Sequence, residues 1–435
     1  MYLKYMLSEE SEARQPTTHK GENQPMLTES QTAIVQATVP ALQLHGEAIT
    51  RTFYQNLFSA HPELYNIFNP ANQHNGGQQR SLAAAVLAYA QHIQNPGVLG
   101  HMLNRIESKH VSLEVRPEHY PIVGKFLLGA ISATLGDAAT PEILDAWAAA
   151  YGQLAEIMIG HEKAQYERGA KQASGWSGFK PFRVARKVAE SSVMTSFYLV
   201  PADGAGVPSF VPGQYISVRV QPAGHPYLQI RQYSLSCAPN GREYRISIQR
   251  EVAPGNDALA PNGLISNHLH DHVKEGDLID VHVPAGDFAL ADGTSPVVLL
   301  SGGSGITALL SMLEHLTSPE GGSREVLFVH AARERARHPF MRHLRELAKK
   351  RPGVSVKVLY EDVSEEDVPG HHHDEAGRIS VEFLRRHLPA GDAQFYYCGP
   401  IGFMAAMEAA LDELGISASN RFSETFAPDP SFTIA

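Results

Sequence analysis

The spacing of apolar residues changes twice along this chain, and no single architecture accommodates all three patterns. From Leu27 to about Ala173 they recur every three or four positions, in stretches such as SLAAAVLAYAQHI and EILDAWAAAYGQLAEIMI, as amphipathic helices require. After Gly175 the period falls to two: YISVRV, YRISIQR and DLIDVHV read as short strands set off by Pro, Gly, Asn and Asp. From Pro296 strands and helices alternate. PVVLLSG precedes TALLSMLEHL, EVLFVHAA precedes PFMRHLRELAKK, and SVKVLY, QFYYCG and IGFMAAMEAALDELG follow, the pattern of a parallel sheet. A length of 435 residues also exceeds what one core comfortably holds. The expectation is a multidomain protein. It has a disordered polar tail over 1–25, an all-α domain over 26–173, an antiparallel β-barrel domain over 178–290 and an α/β parallel-sheet domain over 296–435.

Charge and cysteine content narrow the function classes. The net charge is -10, with 36 basic against 46 acidic residues, which argues against a general nucleic-acid surface. No stretch approaches the roughly 20 apolar residues of a membrane span, so no membrane insertion is expected. Cys237 and Cys398 lie far apart and suggest no disulfide framework, which fits a reducing cytoplasm. The first 25 residues lack the basic start and apolar core of a secretory signal; an alternative reading is an upstream start before Met26.

Two motifs carry chemistry in the second half. SGGSGITALL, Ser301 to Leu310, follows an apolar strand and opens a helix. Its glycines permit a tight turn and close approach of a pyrophosphate, and the helix start offers free amides. It is not the full G-x-G-x-x-G fingerprint, and a plain strand-to-helix turn is the competing reading. A second strand end, Tyr396 to Pro400, faces the same crevice. RQYSLS, Arg231 to Ser236, places Arg231 and Tyr233 on one side of a strand, where a guanidinium can pair with phosphate and a ring can lie on a flat cofactor. An ordinary barrel strand with a surface arginine is the alternative.

In the helical third, Tyr54, Phe68, Gln78 and Leu82 precede His110, which closes NRIESKH. A helical histidine opposite such a group can serve as an axial haem ligand. With 22 histidines in the chain, a surface or hydrogen-bonded role competes for His110 taken alone. Tyr120 can equally cap a helix, and Glu162 can be a solvated partner of Lys163.

The second half resembles the ferredoxin-reductase family, in which the arginine-x-tyrosine-serine strand binds FAD and the glycine turn lies under a nicotinamide dinucleotide. PGQY, ending at Tyr215, is similar to the strand before it, and GLISNHL resembles the segment at the FAD pyrophosphate, with Gly263 and Ser266. FYxxLF, HPEL-x-x-x-F-N, NQ-x-NG, the Lys109-His110 pair and YGxLAE resemble the globin domain of flavohemoglobins, bacterial and fungal nitric oxide dioxygenases. The resemblance extends from Met26 to Phe426 with the modules in the family's order.

That resemblance implies a site residue by residue. His110 is the iron ligand, polarised by Tyr120 and Glu162; Tyr54 and Gln78 stabilise bound oxygen; Phe68 wedges the haem plane; Leu82 crowds the oxygen site; and Lys109 meets a haem propionate or the domain junction. Tyr215, Arg231, Gln232, Tyr233, Ser234, Gly263 and Ser266 hold FAD. Gly303, Ser304, Gly305, Ile306, Thr307 and Ala308 hold NAD(P)H, and the tail Thr425, Phe426, Ala427 and Pro428 covers the flavin. The implied reaction oxidises nitric oxide with O2 to nitrate, using electrons passed from NAD(P)H through FAD to haem b, in a monomeric cytoplasmic enzyme. A reductase of oxygen or alkylhydroperoxides and a gas-sensing or oxygen-binding globin are the rivals.

The chain departs from the family at Ala308, where proline is usual, at Ala427, where glycine is usual, and in the order Gln79-Arg80-Ser81. Arg333 and Arg335, after the second sheet strand, are able to hold a 2′-phosphate, but surface arginines are common at such a place and are the competing reading. His371 to His373 lie in a polar insertion, read as a solvated loop rather than a metal site.

Overall fold

The structure, a computed structural model, describes residues 27–68, 76–252 and 262–426. The tail over 1–25, Met26, most of the NPANQHNGG passage, Ala427 and Pro428 lie outside the described residues.

The first region is helical: α1 (Glu29–Ala37), α2 (Val39–Ala60), α3 (Gly77–Gln91), α4 (Gly100–Ser112), α5 (His119–Leu135) and α6 (Pro141–Lys171). Local chemistry sets their ends. Thr28 and Gln31 form a capping box at α1, and Thr140 caps α6 just before Pro141. The sequence from Glu29 onward reads as one helix, but it divides at Thr38, because Pro40 has no amide to continue the first helix's bonding. Phe53, Leu57, Ile131 and Trp147 are buried where α2, α5 and α6 meet.

The second region contains β1 (Phe179–Ala189), β2 (Met194–Pro201), β3 (Tyr215–Val220), β4 (Gln229–Ser234), β5 (Tyr244–Gln249) and β6 (Leu278–His282), with α7 (Leu264–Asp271) between the last two. These strands form a six-stranded sheet ordered β4-β3-β6-β1-β2-β5, with antiparallel pairings throughout. An isolated bridge between Leu235 and Ile246 links the two ends of that order. Phe182, Phe197, Ile216 and Tyr244 fill the interior at 0% exposure.

The third region has β7 (Val297–Gly302), α8 (Ile306–Leu316), β8 (Val326–Ala332), α9 (Met341–Lys350), β9 (Val354–Tyr360), β10 (Glu375–Ala376), α10 (Val381–His387), β11 (Gln394–Cys398), α11 (Ile401–Glu413) and β12 (Arg421–Glu424). The sheet order is β10-β9-β8-β7-β11-β12, and every pairing is parallel. Every residue of β7 is buried, as expected where helices cover both faces of a sheet. Leu309, Leu313 and Leu344 pack on one face; Phe383, Leu384 and Leu411 pack on the other.

Three short elements, β10, α10 and β12, had no counterpart in the sequence reading. The triple histidine is a correction as well. His372 and His373 are buried at 8% and 3% exposure, and only His371 is exposed, because the segment folds back to place His373 against the Tyr360 ring. Among the described residues, no group of three or more His, Cys, Asp or Glu side chains is placed to hold a metal ion.

Candidate functional site

His110 stands near the end of α4, and α5 and α6 cross behind it. Its Nδ1 lies 2.8 Å from Glu162 Oε1 on α6 and 3.2 Å from the Tyr120 hydroxyl on α5. Tyr120 donates to that same Glu162 oxygen at 2.6 Å. The oxygen is therefore the acceptor for both groups, Nδ1 carries the imidazole proton, and the Nε2 lone pair is left for a ligand. Glu162 is 2% exposed, so its reading as a solvated partner of Lys163 is overturned. Burial first, and Glu162 second, push the Tyr120 hydroxyl pKa far up, which keeps it a donor.

His110 lines an apolar cavity of about 1300 Å³, counting its open mouth. Tyr54, Phe68, Leu82, Val86, Leu103 and Ile106 are also on its wall. Tyr54, from α2, is held edge-on to Phe68 at 6.0 Å and is hydrogen-bonded to Gln78 at the start of α3. Burial drives its pKa up, only partly opposed by that bond, so it remains a neutral hydroxyl. A large apolar slot with one free imidazole lone pair and one hydroxyl fits a haem.

The sheet regions meet the helical region close to His110. Ser112, two residues further on α4 and fully buried, accepts from Gln232 Nε2 at 3.4 Å and is hydrogen-bonded to Tyr215. Gln232 and Tyr215 lie on the neighbouring strands β4 and β3. Asn66 accepts from the Leu228 amide at 2.8 Å, and Arg219 lies 3.5 Å from Glu114 and 2.9 Å from Asp280. Nothing in the sequence marked Ser112.

Arg231 and Tyr233 alternate on β4 as the period of two requires, and both are half-buried. Burial lowers the Arg231 pKa, the cost of holding a guanidinium away from water. Its Nη1 donates to the Ile230 carbonyl at 2.7 Å. Ser234 is buried at the strand end. Ser266 donates to the Gly263 carbonyl at 3.2 Å and accepts from the Glu251 amide at 3.1 Å, which pins the start of α7. A Cβ on Gly263 would come 2.7 Å from Ser266 Oγ, so the chain passes closely here. A half-buried guanidinium, two tyrosine rings and a helix start are suitable for an aromatic dinucleotide such as FAD.

The one-turn helix Gly303–Gly305 joins β7 to α8, and no side chain caps α8. Gly303 has φ +52°, and a Cβ on Gly305 would lie 2.0 Å from the Cys398 carbonyl. The glycine turn and the end of β11 thus converge at one crevice. Ser304 remains half-buried at its mouth, while Thr307 bonds to the Ser304 carbonyl at 3.0 Å. Ile306 and Ala308, expected to hold the nucleotide, are at 0% exposure in the core, and the Ile306 amide donates to the Gly303 and Ser304 carbonyls, so neither residue is open at the crevice. At the tail, Thr425 is half-buried and Phe426 is half exposed. Lys109 is exposed beside Arg105 and Glu424. The Glu424 carboxyl ends β12 in a cleft with His101, Arg105 and Asp287. Desolvation pushes its pKa to about 8; Asp287 adds repulsion, and Arg105 and Lys109 oppose it.

The globin family matches residues 51–158, and the oxidoreductase NAD-binding domain family matches residues 299–409. A globin region joined to a flavin- and nucleotide-type oxidoreductase module defines the class: this is an enzyme of the globin–reductase kind. Flavohemoprotein of Deinococcus radiodurans is 56% identical over 407 residues, covering 94% of this chain and 98% of that one. Flavohemoprotein of Bordetella pertussis is 48% identical, covering 92% and 98%. The chain belongs to the flavohemoprotein family. The crystal structure of a Malassezia yamatoensis flavohemoglobin with bound FAD and heme superposes with a TM-score of 0.79 at 31% identity, over 92% of this chain and all of that one. The FAD/NAD-binding domain of a Vibrio cholerae nitric oxide dioxygenase matches at a TM-score of 0.51 and 39% identity, over 57% of this chain and 98% of that one.

Proposed function

We propose that this chain is a nitric oxide dioxygenase that converts nitric oxide and O2 to nitrate with electrons from NAD(P)H. The observation that carries the reading is the His110–Glu162–Tyr120 triad, which presents one imidazole nitrogen to a cavity that also holds the Tyr54 hydroxyl. Haem b supplies oxygen chemistry and one-electron exchange, and FAD supplies the conversion of hydride into single electrons.

The protein's own groups do the rest. Glu162 accepts a hydrogen bond from His110 Nδ1, which makes Nε2 a stronger electron donor and fixes the ring. Tyr54, on the cavity wall and hydrogen-bonded to Gln78, would donate a hydrogen bond to an oxygen ligand held there. Phe68 and Leu82 exclude water there. The antiparallel sheet, its ends linked by the Leu235–Ile246 bridge, is read as the FAD barrel over 178–290. Within it Arg231 would pair with phosphate, Tyr215 and Tyr233 would lie against the flavin, and Gln232, Ser234, Gly263 and Ser266 would complete the seat. The Gly303–Ala308 turn and the tail residues Thr425 and Phe426 border the nicotinamide crevice of the parallel-sheet domain over 296–435. The Ser112 contacts with Gln232 and Tyr215 couple that seat to the His110 helix of the domain over 26–173. We further infer a cytoplasmic monomer; Cys237 and Cys398 are both free and buried, and no described helix is long and apolar enough to cross a membrane.

The direct test is anaerobic NADH addition, followed by oxygenation and a pulse of nitric oxide. Stoichiometric nitrate and reoxidised haem absorbance are expected. Flavin reduction with no nitrate would favour a peroxide or oxygen reductase instead.

A further inference from the structure

We propose that Glu314 is a positioning residue for hydride transfer, tying the helix behind the glycine turn to the chain that leaves the flavin strand; this rests on the oxidoreductase reading above. Glu314 lies in the last turn of α8, the helix that the glycine turn opens. Three donors from other segments converge on its carboxylate. Arg245 of β5 donates through Nη2 to Oε1 at 2.7 Å, and His343 of α9 places Nε2 2.7 Å from the same oxygen. The Ala238 amide donates to Oε2 at 2.9 Å. A carboxylate only accepts, so His343 carries a proton on Nε2. Burial raises the Glu314 pKa, but His343, Arg245 and the Ala238 amide outweigh it. The value falls below the usual carboxylate range, and the group stays charged.

The bonds fall on one short stretch, Ser236 to Ala238, just past the end of β4 at Ser234. Arg245 donates through Nε to Ser236 Oγ at 3.2 Å and through Nη2 to the Ser236 carbonyl. Ser311, one turn before Glu314 on α8, donates to the Cys237 carbonyl at 2.7 Å. Glu314 then takes the Ala238 amide. The Arg245 and Glu314 side chains are 9% and 15% exposed, so water competes little for these bonds. A buried ion pair adds little net stability over an apolar replacement, whereas its directional bonds specify one arrangement of the packed surfaces. Sliding α8 along the flavin-bearing chain would break several of them at once. Hydride transfer is sensitive to that register. One proton with its electron pair passes from the reduced nicotinamide to the flavin, leaving oxidised NAD(P) and reduced FAD, across about 3–3.5 Å. A misplacement of about 1 Å set by a distant residue costs on the order of 100-fold.

Glu314→Gln tests this in the full-length holoprotein, because its one carbonyl oxygen leaves an NH2 group facing a donor. Hydrogen exchange of the peptide spanning Ser236 to Ala238, read without turnover, should quicken about fivefold or more. FAD and haem content should stay at the parent level. In anaerobic stopped-flow mixing with NADH, the limiting rate of flavin reduction should fall on the order of tenfold or more, with the apparent Kd for NADH within about twofold. The long-wavelength charge-transfer absorbance between nicotinamide and flavin should weaken as well. Glu314→Asp, which keeps the charge, should recover part of the rate. A parent-like limiting rate and charge-transfer band in Glu314→Gln would overturn the role even if thermal stability fell, because a merely structural bond moves stability alone. Should that variant lose FAD, His343→Ala removes one donor and leaves the Arg245 pair; a parent-like rate there would overturn the role equally. Failure of NADH and NADPH alike to reduce the parent's flavin would count against the oxidoreductase reading, while the exchange comparison would still decide whether Glu314 holds the two regions in register.

Discussion

Glu162 accepts a hydrogen bond from His110 Nδ1 at 2.8 Å, although the two residues lie 52 positions apart on crossing helices. The carboxylate is 2% exposed and also receives the Tyr120 hydroxyl, so its charge is spent on the imidazole rather than on water. The triad is therefore an electronic device, and its removal has a spectroscopic consequence.

Glu162→Gln keeps the shape of the side chain but replaces a charged acceptor with a neutral one. The bond from His110 to a bound iron should weaken, which lowers its stretching frequency in resonance Raman spectra. Haem affinity or activity should drop on the order of 10–100-fold, as for other residues that orient a metal ligand. An unchanged frequency would remove Glu162 from this role.

Tyr54→Phe removes one hydroxyl from the cavity and leaves the ring on Phe68. A hydrogen bond to a partly charged acceptor is worth about 1.5–3 kcal/mol. Oxygen should leave roughly tenfold faster or more, with flavin reduction unaffected. Stopped-flow traces indistinguishable from the parent's would show that the hydroxyl does not reach the ligand.

Arg231→Ala deletes the half-buried guanidinium of β4. FAD affinity should fall on the order of tenfold or more, given about 1.5–3 kcal/mol for a charge-assisted bond. Haem content should stay at the parent level. Fluorescence titration with FAD measures the first and the haem band the second; equal FAD affinities would exclude Arg231 from the seat.

His330 predicts a pH dependence in the parallel-sheet region. It is fully buried, and its Nδ1 lies 2.8 Å from Ser301 Oγ. Burial lowers its pKa from 6.5 to about 3. Below pH 6.5 the unfolded chain binds a proton there that the folded chain does not. The stability is therefore complete above pH 6.5 and is lost progressively as pH falls toward 3. Between pH 7 and 5 the loss is about 2 kcal/mol from this group. His330→Phe should flatten that part of the urea-midpoint profile; an identical slope in parent and variant would assign the acid sensitivity to other groups.

The change of hydrophobic period made a helical region followed by sheet-rich regions legible, because burying one face of a helix or strand is a local demand on spacing. For the same reason the β7 run, the glycine turn and the alternation of Arg231 and Tyr233 were legible, along with the helices that carry Tyr54 and His110. Short elements such as β12 and α10 were not, since a few residues do not establish a period and their pairing partners supply the stability. The burial of His372 and His373 escaped for a related reason. Polar composition predicts solvation, yet a loop folded onto Tyr360 covers them. The pairing of Glu162 with His110 rather than with Lys163, and the contacts of Gln232 and Tyr215 with Ser112, are decided by how helices cross and how a sheet docks against them. Residue spacing sets the face a side chain occupies; only packing between distant segments decides which atom meets it there.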